Sequence, residues 1–132
     1  MDSINNKQLV RSFLKVFFKD SEQLRMLCVP SVKLHFRGGL LADGIEELVK
    51  FGQQQNKCFP DIEFNVQHVI AERDAAAVRL TQSGHHRHLW NGISAQGYAF
   101  EVDEMVFFEI KDHRIVQIWP MLDLELKRAQ LT

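Results

Sequence analysis

The feature that most constrains the fold is a strand–turn–strand–helix pattern in the last third of the chain. Two runs rich in β-branched and aromatic residues, 106–110 and 115–119, flank the polar tetrapeptide at 111–114. This arrangement predicts a β-hairpin. From Leu122 onward, leucines are mixed with charged residues, which suits a short amphipathic helix. The chain is therefore predicted to end in antiparallel sheet followed by a helical turn.

Helical patterns fill the first part of the chain and strand patterns fill the rest. Residues 3–19 carry apolar side chains at three-to-four spacing, as an amphipathic helix does. Asp20 with Gln23, and Asp43 with Glu46, each form a predicted capping box, beginning helices that end near Leu27 and residue 56. Alternation predicts strands at 31–37, 62–71, 75–83, 98–110 and 114–122, with a loop at 84–97. Helices followed by an antiparallel meander indicate an α+β fold in a single domain, residues 1–132.

Length and charge exclude several classes of function. With 132 residues and a formal net charge of -1, the chain has no basic surface for nucleic acid or an anionic membrane. No run approaches the ~18 apolar residues of a membrane span, and residues 1–7 lack the design of a signal peptide. We therefore expect a cytoplasmic protein without nucleic-acid or membrane partners. Cys28 and Cys58 show no metal-ligand spacing, and two reduced thiols are expected.

Three groups of motifs carry a family resemblance. The first is the ending, in which Ile118 and Trp119 precede Asp123 and a leucine-rich tail. The second is Phe59, Pro60, Asp61 and Ile62 before a predicted strand. The third runs from Arg79, Leu80 and Thr81 through Gly84, His85 and His86 to Trp90, Asn91, Gly92, Ile93 and Gly97. In order and spacing these motifs, over residues 59–131, resemble the SnoaL-like polyketide cyclases and ester cyclases.

The resemblance implies both a fold and a chemistry. The implied fold is the cone-shaped α+β barrel of the nuclear-transport-factor and ketosteroid-isomerase superfamily, with N-terminal helices on a curved, mainly antiparallel sheet enclosing a pocket. The implied activity is that of a cyclase or isomerase using intramolecular aldol-type acid/base chemistry on a small hydrophobic carbonyl compound, without a cofactor. That chemistry needs a base near an α-carbon and a proton donor near a carbonyl oxygen.

This chain departs from the family at the positions that carry the chemistry. Alignment of the tails places the cyclase aspartate on Pro120 and its histidine partner near Val106. The isomerase aspartate falls near Phe36. Where an isomerase helix can supply a tyrosine, this chain has Phe13 and Phe17, which lack a hydroxyl. If the protein is an enzyme, its base must therefore lie elsewhere.

Glu104 is the main candidate for a relocated base. By the two-residue period of a strand it shares a face with apolar residues only: Phe100, Val102, Val106, Phe108 and Ile110. Desolvation among such neighbours would raise the pKa of the carboxyl group. The alternative is an acid paired with a nearby arginine or facing a dimer interface. His35 and Asp123 are further candidates, because relatives often carry a pocket histidine on the first strand and an acidic residue in the tail, although Asp123 does not match the cyclase acid/base group.

The predicted ligand-binding residues come mostly from the resemblance and from apolar faces. They are Phe13, Phe17, His86, Trp90, Val106, Phe108 and Trp119. The histidines at 85, 86 and 88 could in principle chelate zinc, but no cysteine or carboxylate nearby in sequence completes a tetrahedral set, so we predict no metal.

The sequence leaves three functions open and predicts one assembly state. The chain is either an enzyme of the cyclase or isomerase type, or a non-catalytic small-molecule-binding protein with the same pocket. The third alternative is an interaction domain that uses its open sheet face to dimerise. A homodimer is expected to form through a mixed polar face opposite the pocket that includes Arg79, Thr81, Glu101 and Asp103.

Overall fold

The computed structural model describes residues 3–132 and consists of four helices and six strands in this part of the chain. The helices are α1 (Ser3–Val16), α2 (Ser21–Leu27), α3 (Ile45–Cys58) and α4 (Leu124–Leu131). The strands are β1 (Cys28–Phe36), β2 (Gly39–Asp43), β3 (Glu63–Glu72), β4 (Ala75–His85), β5 (Ala99–Lys111) and β6 (Arg114–Leu122).

The strands form one open, mixed sheet in the order β2-β1-β6-β5-β4-β3. Only the β1–β6 pair is parallel among these neighbours, and the other pairs are antiparallel. The helices pack on the sheet, with Phe13 of α1 edge-to-face on Phe108 of β5 at 5.5 Å. The predicted α+β fold with N-terminal helices on a mainly antiparallel sheet is therefore confirmed.

Strand β5 shows most clearly how the sequence pattern produces the fold. The even-numbered residues from Phe100 to Ile110 are all buried, and the odd-numbered residues from 99 to 107 are exposed. In β4, Ala76, Val78 and Leu80 are buried in the same way, and the alternation continues to Gln82. The even-numbered face therefore points toward the helices, as the two-residue period predicts.

The start of α3 differs from the prediction. A strand, β2, occupies residues 39–43 because the turn before it, with φ of 51° at Arg37 and 81° at Gly38, reverses the chain onto β1. Asp43 belongs to β2, and its carboxylate accepts from Lys33 Nζ at 2.6 Å. The predicted Asp43–Glu46 capping box is therefore wrong, and Gly44 is the N-cap. The box at Asp20 is half confirmed, since its side chain caps α2 by accepting from the Gln23 amide at 3.1 Å.

Strand β3 changes face part of the way along its length. A bulge between Val66 and His68 inserts a residue into the ladder with β4. Beyond it Val69 is buried, whereas Ile70 is 59% exposed. Uninterrupted alternation over the predicted strand 62–71 would place Ile70 on the same face as Phe64, and the bulge prevents this because it shifts the alternation by one residue.

The described residues contain two buried free cysteines, Cys28 and Cys58. No helix within residues 3–132 is both long enough and apolar enough to cross a membrane.

The contact between α3 and the end of α1 depends on Gly52. A Cβ atom at this position would overlap the backbone carbonyl oxygen of Phe17, which cannot rotate away. We expect Gly52→Ala to lower the free energy of unfolding, measured in urea, by about 1–3 kcal/mol through overpacking. Gly39→Ala is the control, because its nearest atom would lie 3.8 Å away, and it should change stability by less than ~0.5 kcal/mol. Equal effects of the two substitutions would contradict the packing argument.

Candidate functional site

A cavity of about 180 Å³ lies between the helices and the buried face of the sheet. Most of its lining is apolar, including Phe13 and Phe17 of α1, Phe51 of α3 and Val106 of β5. The lining also includes polar side chains, which are Gln55, Gln82, Asn91, Glu104 and Lys127. Apolar walls with a few polar groups are typical of small-molecule sites.

Glu104 is a buried carboxylate in the lining of this cavity. It lies in β5 between Leu80 of β4 and Leu122 of β6 and is 5% exposed. One of its oxygens accepts a hydrogen bond from Gln82 Nε2 at 2.9 Å. The structure therefore places Glu104 on the cavity side of the sheet, where the two-residue period predicted it.

A single amide joins Glu104 to a buried lysine. Gln82 uses its nitrogen to donate to Glu104, and its Oε1 accepts from Lys127 Nζ at 2.7 Å. The two charged side chains therefore determine which way the Gln82 amide points. Lys127 comes from α4, whose first turn is capped by the Asp123 carboxylate accepting from the Leu126 amide at 3.0 Å.

The ammonium group of Lys127 lies against three aromatic rings, which we call the aromatic box: Phe59, Trp90 and Phe100. The distances from Nζ to the ring centroids are 4.5, 4.9 and 4.2 Å, respectively. Contacts of this kind attract a cation through the negative face of each ring. Lys127 is 2% exposed, so the box and Gln82 replace most of the water that would surround an ordinary lysine.

Burial shifts the pKa values of both Glu104 and Lys127 toward neutral pH. It raises the pKa of Glu104 to about 7, and the Gln82 hydrogen bond and the charge of Lys127 only partly oppose it. Burial also lowers the pKa of Lys127 to about 8, against the attraction of Glu104. Groups with pKa values near the working pH can both accept and release protons, which is what general acid/base catalysis needs.

The cavity brings together five of the residues predicted from sequence. Glu104, Phe13, Phe17, Trp90 and Val106 all belong to its lining. Phe108 is fully buried behind Phe13 and is not part of the lining.

His86 is buried beside the Phe59 ring rather than in the cavity lining. The ring centroids lie 5.3 Å apart, and neither ring nitrogen of His86 has a hydrogen-bond partner among the described residues. The expectation that His86 lines the pocket is therefore corrected, because its ring, one residue beyond the end of β4, is fully buried against Phe59 and is not part of the lining.

His35 and Trp119 lie together on the opposite face of the sheet. Their rings stack at 4.8 Å with an angle of 8°, and His35 Nε2 lies 2.7 Å from Gln117 Oε1. Their chain neighbours Leu34 and Ile118 line the cavity, so strand alternation directs His35 and Trp119 outward. The expectation that these two residues reach the pocket is corrected.

Asp123 is also outside the cavity lining. Its exposed carboxylate caps α4, a structural role that explains an acidic residue at this point in the tail. The expectation that Asp123 is a catalytic group is corrected: its carboxylate fixes where the helix that carries Lys127 begins.

Gln82 and Lys127 were not identified from the sequence, although each had a signal. Gln82 continues the buried even-numbered face of β4. Lys127 lies between Leu124 and Leu131 at helical spacing, so it is a cation on the inward face of α4. A buried amide and a buried cation on faces that converge at one carboxylate would have indicated the site.

The histidine cluster at 85–88 does not converge on one point. His85 Nδ1 lies 2.6 Å from the Asp61 carboxylate at the surface, whereas His86 is buried. Within residues 3–132 no group of three or more histidine, cysteine, aspartate or glutamate side chains is arranged to hold a metal ion. The absence of a structural metal remains a prediction.

Comparison with known proteins identifies the family. The model of the SnoaL-like polyketide cyclase family matches residues 7–131, so the chain belongs to this family. The predicted membership is confirmed. A search of curated proteins finds no match.

Solved structures agree with this assignment. TsrD from Streptomyces laurentii is 26% identical, with a TM-score of 0.87, and the match covers 99% of this chain and 97% of TsrD. IdmH from Streptomyces antibioticus, a proposed polyketide cyclase, is 25% identical, with a TM-score of 0.82 and coverage of 94% and 96%. A proposed SnoaL-like polyketide cyclase from Jannaschia sp. CCS1 is 19% identical, with a TM-score of 0.90 and coverage of 98% and 92%, and this likeness shows the fold alone.

Proposed function

We propose that this protein is an acid/base enzyme of the cyclase or isomerase type, acting on a small hydrophobic carbonyl compound with Glu104 as the base. The observation that carries the proposal is a buried carboxylate in the wall of an apolar cavity, held by one amide. A carboxylate in such a place has lost most of its hydration, so it binds a proton more tightly than an exposed carboxylate does.

The position of Glu104 relative to the family's acid/base positions supports this proposal. Val106 and Pro120, which the family resemblance matches to the catalytic histidine and aspartate, are direct partners across β5 and β6 and both line the cavity. Glu104 lies two residues before Val106, on the same face of the same strand. The carboxylate therefore faces the same cavity from a neighbouring position on its wall.

The chemistry follows from this geometry. With its carbonyl compound in the cavity, the Glu104 carboxylate removes a proton from the carbon next to the carbonyl group, and the electron pair moves onto the carbonyl oxygen as an enolate. The enolate then attacks a second carbonyl carbon of the same molecule, which closes a ring, or it is reprotonated at another carbon, which isomerises the compound. Gln82 holds the carboxylate in place through the 2.9 Å hydrogen bond. Such a base typically contributes ~10²–10⁴ in rate.

The test is exchange of the abstracted proton. A hydrophobic ketone such as benzylacetone is incubated with the protein in deuterated buffer, and loss of its α-hydrogen signals is followed by NMR. We expect exchange faster than in buffer alone, and a further increase as the pH rises through about 7, where Glu104 becomes a carboxylate. Exchange at the rate of buffer alone, despite measured binding of the ketone, would contradict the enzymatic proposal.

The second candidate is a non-catalytic binding protein. Val106 and Pro120 leave two of the family's acid/base positions apolar, which enlarges the apolar wall of the cavity. Binding of the ketone without any proton exchange would favour this function.

We also propose a homodimer that forms through the outer face of the sheet. This face carries the polar residues predicted for it, but it also exposes a group of large apolar side chains that share it: Ile70, Met105, Phe107, Trp119 and Met121. Met105 pairs with Met121 and Phe107 with Trp119 across β5 and β6, so the group is contiguous. Exposed apolar patches of this kind mark interaction sites.

Phe107→Arg should therefore shift the protein from dimer to monomer in sedimentation experiments at micromolar concentration. Such an interface is expected to bury more than ~1,000 Å² in total, and a central charge without a partner should prevent it from closing. Met26→Glu is the control, because Met26 is an exposed apolar residue on α2 and not on the sheet. A wild-type protein that sediments only as a monomer would contradict the proposal.

A further inference from the structure

Lys127 places a buried primary amine in the wall of the cavity, and the proton transfer described for Glu104 gives this amine no part in the chemistry. We propose that the Lys127 amine condenses with the carbonyl group of the bound compound, an aldehyde or ketone, to form an iminium ion. This inference rests on the proposed function for the class of ligand. It adds a covalent step and a second reacting residue.

The surroundings of Nζ suit a nucleophilic amine. Among the described residues its one hydrogen-bond acceptor is Gln82 Oε1, at 2.7 Å, and the three rings of the aromatic box lie against it. Lysine becomes a nucleophile when a hydrophobic pocket desolvates it. The exclusion of bulk water, shown by the 2% exposure of the residue, also slows hydrolysis of an iminium once it has formed.

The aromatic box suits the product as well as the free lysine. An iminium ion keeps the positive charge on nitrogen, so Phe59, Trp90 and Phe100 continue to attract it. Gln82 can keep accepting from the iminium N–H. The site therefore needs no rearrangement of charge when the covalent bond forms.

Glu104 supplies the proton that the condensation requires. The lone pair of the neutral amine attacks the carbonyl carbon, and a proton passes from nitrogen to the former carbonyl oxygen, giving a carbinolamine. The carboxylic acid form of Glu104 then donates a proton to the hydroxyl group, the carbon–oxygen bond breaks, and water leaves as nitrogen forms the double bond. The Glu104 carboxylate that remains can remove the α-proton, which the iminium makes more acidic, to give an enamine.

The protonation states of both groups are compatible with this sequence. With a pKa of about 8, Lys127 is a free amine in about a quarter of molecules at pH 7.5. An ordinary lysine, with a pKa near 10.4, is free in about one molecule in a thousand. Lys127 should therefore react on the order of 100-fold faster than surface lysines when access to the reagent is equal.

Reductive trapping tests the proposal. The protein is mixed with hydrocinnamaldehyde and sodium cyanoborohydride at pH 7.5, then digested and analysed by mass spectrometry. We expect a peptide containing Lys127 whose mass has increased by that of the aldehyde minus one oxygen atom, at least ~10-fold more abundant than adducts at other lysines. Lys127→Arg keeps the positive charge but cannot form the adduct, and it should lose this signal. Lys111→Met, at the exposed end of β5, should retain it.

A non-reacting ligand separates this proposal from the one on which it rests. Hydrocinnamyl alcohol has the same apolar body but no carbonyl group, and its binding is measured by calorimetry. No Lys127 adduct, or labelling no greater than at Lys111, would overturn the covalent step. If the alcohol still binds in that case, the apolar pocket stands and only the iminium is wrong. The covalent step would also be overturned if Lys127→Arg exchanged the α-protons of benzylacetone at the wild-type rate. Arginine cannot form the iminium ion, but it can replace a lysine that acts only through its charge.

Discussion

Replacing Glu104 with glutamine is expected to lower the rate of α-proton exchange by about 10²–10⁴-fold while changing ligand affinity by less than about 10-fold. Glutamine has nearly the shape of glutamate, so the cavity lining is preserved. The amide cannot accept the substrate proton at neutral pH, so the base is lost. The measurement is the deuterium exchange rate of benzylacetone, with its dissociation constant determined separately by calorimetry.

Glu109→Gln is the matched control for this change. Glu109 lies on the same strand, and it also accepts a hydrogen bond from a glutamine, Gln117 Nε2, at 2.8 Å. Because of the strand alternation it lies on the opposite face from the cavity. It should therefore keep wild-type exchange. An equal rate in wild type and Glu104→Gln would show that the base is another group, and equal losses in the two variants would point to a general effect on folding.

The sequence predicts best the parts of the fold in which buried and exposed side chains alternate without interruption. In β5 one face is buried and the other exposed, so alternation located Glu104 on the cavity side without any knowledge of its partners. The same alternation directs His35 away from the cavity, because its neighbours Leu34 and Phe36 in β1 both line the cavity. The resemblance to family members with a pocket histidine led to the other assignment, and strand alternation proved the better guide.

The parts that could not be predicted depend on breaks in the period or on distant partners. The bulge in β3 reverses the orientation of Ile70, and a local pattern does not show where an extra residue is inserted. The polar network joins residues 22 and 45 positions apart, through Gln82 to Glu104 and to Lys127. No local spacing relates these residues. Their meeting depends on the register of β4 with β5 and on where α4 docks.

The burial of Glu104 and Lys127 should also change how the free energy of unfolding depends on pH. In the unfolded chain Glu104 loses its proton near pH 4.5, whereas in the folded protein it does so near pH 7. Between these values the folded state holds a proton that the unfolded state has released, so stability falls as the pH rises from about 4.5 to 7. Lys127 behaves in the opposite way. Between about pH 8 and 10.5 the unfolded state holds the extra proton, and stability increases with pH.

The wild-type free energy of unfolding should therefore have a local minimum between about pH 7 and 8 relative to the double variant Glu104→Gln/Lys127→Met, which titrates at neither position. Each side of the minimum has an upper limit of about 3.5 kcal/mol, because each pKa differs by about 2.5 between the folded and unfolded chain and one pKa unit corresponds to ~1.4 kcal/mol. Urea denaturation of both proteins from pH 4 to 10 at constant ionic strength measures the difference, in which other titrating groups cancel. If attraction between the two charges outweighed their desolvation, the difference would reverse sign and the wild type would show a relative maximum near neutral pH. The expected minimum arises because both groups lose more by leaving water than they recover from each other across the Gln82 amide.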